Sequence, residues 1–125
     1  MIGYGIIGCG YAGRIHADNL EKLPEVRLAA VFDTDYERMR AFAQEGGASM
    51  ASSIEELCGD KEVDAVIITT PNNSHVIPAI CAAKAGKHVF CEKPVALSLK
   101  DTKEMLDAAK KSGVRFFAAH TTNFI

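Results

Sequence analysis

The residues Ile2-Gly3-Tyr4-Gly5-Ile6-Ile7-Gly8-Cys9-Gly10-Tyr11-Ala12-Gly13 decide how the rest of the chain reads. Ile2–Gly8 is short and nearly all apolar, the pattern of a strand buried on both faces. Gly8-Cys9-Gly10-Tyr11-Ala12-Gly13 then forms G-x-G-x-x-G, which is weak alone and specific where it closes a strand and opens a helix. Tyr11–Leu23 supplies that helix, with Ala12, Ile15, Leu20 and Leu23 on one stripe and Pro24 as its stop. In such a turn Gly8 permits the tight bend, Gly10 lets a pyrophosphate approach the backbone, and Gly13 lets helix and strand pack closely. The N–H groups of Tyr11 and Ala12 then point at the phosphates, and the helix dipole adds to the attraction. The competing reading is a glycine-rich strand–helix turn that holds no ligand.

Working outward, Val26–Asp33 reads as a second strand, and Asp33 at its end lies twenty positions beyond Gly13. A carboxylate there accepts both hydroxyls of an adenine ribose and repels a 2′-phosphate, which favours NAD over NADP. Asp33 would otherwise cap the following helix, but Asp35 is placed to do that, ahead of Met39, Phe42 and Ala43 and a Gly46-Gly47 stop. Arg38, one turn into that helix, has three options: to lie over the adenine, to compensate a 2′-phosphate, or to pair with a nearby acid. Methyltransferases that bind S-adenosylmethionine share a glycine turn with a downstream acid, but their pattern usually lacks the third glycine at this spacing.

The alternation continues to the end of the chain. Ala48–Ala51 is a short strand, and Ser53 with Glu56 makes a capping-box start for a brief helix to Cys58. Val63–Thr70 is the clearest strand. Asn73 or Ser74 caps a helix through Ala85, Gly86 ends it, and Lys87–Cys91 is another strand. Ser98 opens a last helix, with Leu99, Thr102, Leu106 and Ala109 on its apolar stripe and Gly113 as its stop, before a strand at Val114–Ala119. Strands alternating with crossover-length helices predict an α/β fold: a doubly wound, mostly parallel sheet with helices on both faces, one domain over residues 1–125.

Composition agrees. A chain of 125 residues with 48% hydrophobic content is one domain, able to bury roughly two-thirds of its unfolded surface without disulfide or metal. Disorder is excluded by that hydrophobic fraction. Fourteen basic against sixteen acidic residues leave a charge of −2, which argues against a nucleic-acid backbone as partner. The apolar start is too short to span a membrane and lacks the basic flank of a signal peptide. Cys9, Cys58, Cys81 and Cys91 form no C-x-x-C pair, so reduced thiols in a cytoplasmic protein, and no metal site, are expected.

Two further stretches narrow the field: Thr69-Thr70-Pro71-Asn72-Asn73-Ser74-His75, and Gly86-Lys87-His88-Val89-Phe90-Cys91-Glu92-Lys93-Pro94. Both leave the carboxyl ends of predicted parallel strands, where open α/β sheets bind ligands. Pro71 fixes a turn there, and Asn72 offers amide donors and an acceptor near a nicotinamide ribose or ring. His75 either bonds a ribose hydroxyl or holds the loop. Together with the glycine turn, these stretches closely resemble the N-terminal half of the glucose–fructose oxidoreductase/inositol dehydrogenase (Gfo/Idh/MocA) family, from Ile2 to about Ala119. The resemblance implies a Rossmann domain of an oxidoreductase that moves hydride between a nicotinamide cofactor and a sugar or polyol. It implies that Thr70 joins the cofactor-binding loop, that Lys93 is the catalytic lysine, and that Glu92 positions the cofactor or Lys93, with Pro94 setting the turn. Desolvation and a nearby nicotinamide cation suit such a lysine to proton transfer. His16 reads as a packing or capping residue, His88 as structural, and His120 as a neighbour of the cleft.

Family enzymes add a second, larger domain with a D-x-x-x-H-type motif whose histidine commonly completes the acid/base pair. No stretch of this chain matches it, so an isolated nucleotide-binding domain is expected, binding cofactor but turning over slowly or not at all. A nucleotide-sensing module of the same fold is the alternative, against which the whole E-K-P triplet weighs. A third reading is a domain that associates into a homo-oligomer through an exposed apolar face.

Overall fold

Alternate apolar residues of the first strand face opposite ways into two separate cores: Tyr4 and Ile6 into one, Ile7 into the other. That is the requirement for a sheet covered on both sides, and it sets the architecture of the computed structural model, which describes residues 1–70, 75–92 and 99–119. The elements run β1 (Ile2–Ile7), α1 (Tyr11–Glu21), β2 (Val26–Phe32), α2 (Tyr36–Gly46), β3 (Ser49–Met50), α3 (Ile54–Gly59), β4 (Ala65–Ile68), α4 (Val76–Lys84), β5 (His88–Glu92), α5 (Leu99–Ser112) and β6 (Phe116–Ala119). The sheet order is β3-β2-β1-β4-β5-β6, and every pairing is parallel. The sheet therefore reverses its direction of growth between β1 and β4, which leaves a crevice beyond their carboxyl ends. In β4 the same alternation sends Val66 and Ile68 to one core and Ile67 to the other.

Residues of α1 and α2 belong to the core around Tyr4, Ile6 and Val31, whereas α3, α4 and α5 close the core around Ile7, Ile68 and Val89. Helix ends follow local chemistry. Asp35 caps α2 by accepting from the Arg38 N–H at 3.1 Å, and Gly47 ends it with a left-handed φ of 65° that a side chain would strain. Ser53 caps α3 through the Glu56 N–H at 3.0 Å, while the Glu56 carboxylate reaches back one residue further than a simple capping box, to the Ser52 N–H and hydroxyl. At the far end of the sheet the Lys87 ammonium donates to the Asp60 and Val63 carbonyls, so this lysine ties the entry of β4 to that of β5. His88 is structural as expected: its Nδ1 accepts the Arg115 N–H at 3.0 Å.

Two expected stripes are rotated. On α1, Ile15 is exposed, as is Leu23 just past its end, and Gly13 is the buried residue, because the helix is drawn so close to β1 that only a glycine fits between them. On α5, Met105 and Ala109 are buried while Leu99 and Leu106 face outward. A helix with Leu99 and Leu106 on one row and Met105 on the adjacent one, with Ala109 between them, permits either rotation, and packing against α4 selects the row with Met105.

Candidate functional site

The glycine turn sits at the carboxyl end of β1, in the crevice, and its three glycines meet three different constraints. Gly8 has φ 103°, and a Cβ there would lie 2.7 Å from the backbone of Thr69 and Thr70. Gly13 is pressed against the turn, where a Cβ would come within 2.6 Å of the Gly8 carbonyl oxygen. Gly10 is the opposite case: nothing lies within 4 Å of the position its Cβ would take, so this face of the backbone is open to the cleft. Gly10 also stands at the N-cap of α1, which has no side-chain cap and no acidic residue in its first turn. The neighbouring helices α2 and α3 both carry caps. The first-turn N–H groups of α1, those of Tyr11 and Ala12, are thus left for an anion, and a pyrophosphate fits the open backbone beside Gly10.

Asp33 is held beside this turn by contacts that span the sequence. Its Oδ2 accepts the Cys9 N–H at 2.7 Å and its Oδ1 accepts the Asp35 N–H at 2.8 Å. The Arg38 guanidinium completes the set, with Nε on Oδ2 and Nη2 on Oδ1, each at 3.0 Å. Burial by itself raises the pKa of this carboxyl. The Arg38 hydrogen bonds, the two amides and the Arg38 charge outweigh burial, so the carboxyl titrates below its ordinary range. Of the three options for Arg38, the pairing with a nearby acid is the one present, and the acid is Asp33 itself. The Cys9 thiol is pushed up to about 12, first by burial and then by the Asp33 charge, and stays protonated and inert at neutral pH.

On the other bank of the cleft, Thr69 donates its hydroxyl to the Gly8 carbonyl at 2.6 Å and fastens the end of β4 to the glycine turn. Thr70 follows on the cleft wall, and its carbonyl accepts from Nε2 of His75 at 2.8 Å. His75 is fully buried, and of the two readings open for it the contact present is this one to Thr70. Pro71, Asn72, Asn73 and Ser74 lie outside the described residues, as do Lys93, Pro94, Ser98 and His120.

Glu92, at the end of β5 and directly before Lys93, is buried and accepts from Nε2 of His16 at 3.0 Å. The His16 ring also meets Phe90 edge-on at a centroid distance of 5.1 Å. His16 is thus more than packing: it joins the helix that opens at the glycine turn to the strand that delivers the E-K-P triplet. The signal available for this contact is its place in the second turn of α1. The fastening role of Thr69 has no local signal, because its partner Gly8 lies 61 residues away.

The cleft beside the glycine turn has a volume of about 790 Å³, within the range of small-molecule and cofactor sites, and is lined by Gly8, Gly10, Asp33, Arg38, Thr69 and Ile77 among others. A smaller hollow of about 360 Å³ near Tyr4, Phe42 and Gly47 lies toward the opposite end of the strands, away from the glycine turn. Strand topology and the uncapped helix favour the larger cleft.

The fold and the glycine-turn cleft define a dinucleotide-binding Rossmann domain. Residues 2–120 match the family model described as "Oxidoreductase family, NAD-binding Rossmann fold", so the chain belongs to the Gfo/Idh/MocA oxidoreductase family. It is 43% identical to 2,7-anhydro-N-acetylneuraminate hydratase of Escherichia coli, over 99% of this chain and 33% of the relative. It is 39% identical to myo-inositol 2-dehydrogenase of Thermotoga maritima, over 96% of this chain and 36% of the relative. The chain therefore spans about a third of the length of these relatives. Among solved structures, the WlbA dehydrogenase of Chromobacterium violaceum in complex with NADH shares 33% identity at a TM-score of 0.90, over 94% of this chain and 34% of that one. Biliverdin reductase of Synechocystis in complex with NADP+ shares 29% identity at 0.92, over 98% of this chain and 39% of that one. Relatives thus bind either cofactor, and the class that fits here is NAD(P).

Proposed function

We propose that this domain binds NAD in preference to NADP and forms the cofactor half of an oxidoreductase acting on a sugar or polyol hydroxyl. The observation that carries the cofactor reading is the carboxylate of Asp33, pinned by the Cys9 and Asp35 amides beside the open backbone of Gly10. In this reading the N–H groups of Tyr11 and Ala12, with Gly8, Gly10 and Gly13 shaping the turn, hold the pyrophosphate. Asp33 takes the adenosine ribose, while Thr70, Pro71, Asn72 and Glu92 serve the nicotinamide half, and His75 steadies the loop that begins at Thr70. When bound, the nicotinamide supplies the hydride chemistry. Lys93, next in sequence to Glu92, orients the substrate hydroxyl and handles its proton. The polyol assignment leans on the similarity to the Thermotoga inositol dehydrogenase, and it concerns a longer protein in which this domain is one part.

Calorimetric titration with NAD+ and NADP+ tests the cofactor reading: NAD+ binds more tightly in the parent, and Asp33→Ala weakens NAD+ and narrows the gap. NADP+ binding as tightly as NAD+ to the parent overturns the preference. Gly10→Val, which puts a branched side chain where the pyrophosphate approaches, abolishes binding in a folded variant; unchanged affinity moves the phosphates elsewhere.

A further inference from the structure

We propose that the hollow between the last turns of α1 and α2 is a second binding site, for a small amphiphilic cation: a protonated primary amine carried on a compact apolar body. The site is separate from the glycine-turn cleft and does not depend on what that cleft holds.

The hollow has a volume of about 360 Å³, at the lower end of the range for small-molecule sites. Its floor is apolar, made by Leu20, Val26, Leu28 and Phe42 of the core on that face of the sheet. One polar group interrupts this floor. Tyr4 is only 5% exposed, lines the hollow, and among the described residues its hydroxyl has no hydrogen-bond partner. A tyrosine hydroxyl buried to that degree ordinarily finds one. Burial pushes the phenol pKa up, and the Glu21 and Asp18 charges push it further. The hydroxyl is therefore neutral at neutral pH, and its oxygen can accept a hydrogen bond from a cation.

The rim decides the sign of charge. Arg14 is paired with Glu45 and stacks on the Phe42 ring, its guanidinium carbon 4.6 Å from the centroid. Arg27 is paired with Glu62 at 3.5 Å. Both arginines thus have counter-charges, and the charges left on the rim are Asp18 and Glu21, one turn apart on α1. Neither acid has an ion-pair partner among the described residues. Both helices also end here, and neither has a basic residue in its last turn. The partial negative charge of their C-terminal carbonyls therefore adds to that of the carboxylates. Lys22 follows α1 but is exposed and does not line the hollow. An anion is repelled by this rim, and a purely apolar molecule leaves the Tyr4 hydroxyl unpaired. A primary ammonium brings three donors for the Asp18 and Glu21 carboxylates and the Tyr4 oxygen, while its apolar body covers the floor.

Titration of the 125-residue chain with phenethylamine, followed by amide NMR, tests the site, with phenylacetate and phenethyl alcohol as the anionic and neutral counterparts. The amine is expected to bind with a Kd of about 1 mM or tighter, the scale for a ligand of about nine non-hydrogen atoms. It should shift the amides of Leu20, Leu28, Gly46 and Gly47, which line the hollow. Both counterparts should bind at least about fivefold more weakly. Asp18→Asn combined with Glu21→Gln should weaken the amine about tenfold, and Tyr4→Phe should weaken it about threefold. Both acids are exposed, so the double variant leaves the core intact, and circular dichroism verifies that each variant is folded. An amine that binds the parent no better than phenylacetate would overturn the proposal. Full affinity in either folded variant would overturn it too, as would shifts centred on Gly8 and Gly10 instead of the hollow.

Discussion

Replacing Gly13 by alanine tests the close approach of α1 to β1 more directly than any other single change. The new Cβ would lie 2.6 Å from the Gly8 carbonyl oxygen, 3.1 Å from Thr69 Oγ1 and 3.3 Å from Ile6 Cγ2, where ordinary contact begins at 3.4 Å. The nearest of these atoms is backbone in the tightest part of the turn, so it cannot swing aside as the end of a side chain would. Overpacking of this kind costs about 1–3 kcal/mol. Alanine recovers about 1 kcal/mol of helix propensity relative to glycine. Because the 2.6 Å contact is with backbone, the cost lies at the upper end, about 2–3 kcal/mol. A net destabilisation of about 1–2 kcal/mol remains, and at about 3–6 °C per kcal/mol for a chain of this size the melting temperature drops by about 3–12 °C. Pushing α1 off the turn also displaces the N–H groups that face the phosphates, so NAD+ affinity falls with stability. Gly10→Ser is the matched control. Its side chain enters open space and caps α1, so the melting temperature holds or rises while NAD+ affinity is lost. Thermal melts by circular dichroism and calorimetric titration read both quantities. A Gly13→Ala variant that melts within 1 °C of the parent and binds NAD+ equally well would refute the packing assigned to this helix.

Three other outcomes are expected. Asp33 has a depressed folded-state pKa, so its stabilising contribution is complete above the ordinary carboxyl pKa of 3.8 and is lost as pH falls through the lower folded value; Asp33→Asn should flatten the acid limb of a melting-temperature profile, and an unaltered limb would contradict the assignment. A double-mutant cycle on His16→Ala and Glu92→Gln should return a coupling of about 1–2 kcal/mol, as fits a charge-assisted bond between groups 22% and 11% exposed, and a coupling near zero would mean that the contact is incidental. Lys93→Ala should leave NAD+ affinity of this chain within several-fold, because phosphate and ribose contacts dominate, whereas in a longer enzyme bearing this domain it should lower kcat by roughly 10²-fold; near-normal turnover without the lysine would reduce the E-K-P triplet to a cofactor support.

The alternation of apolar runs with helical stripes, punctuated by Gly8, Pro24, Gly47, Gly86 and Gly113, was enough to order the strands and helices, because caps and stops act over a few residues. The parallel sheet follows from the crossover helices, and the glycine spacing located the cleft. What the sequence left open depends on distances between residues far apart along the chain. The rotation of α5 was ambiguous, since Leu99 and Leu106 mark one apolar row and Met105 the adjacent one, and only contact with α4 chooses between them. Arg38 had three partners open to it, and only the folded geometry brings its fork onto both oxygens of Asp33. The bond from Cys9 to Asp33 joins residues 24 apart, and that from His16 to Glu92 joins residues 76 apart. No local pattern encodes such pairs. The chain itself determined which groups were present and on which element. Only the stacking of β5 and β2 about β1 and β4 decided which of those groups touch, because hydrogen bonds require ångström-scale proximity that periodicity along a sequence does not specify.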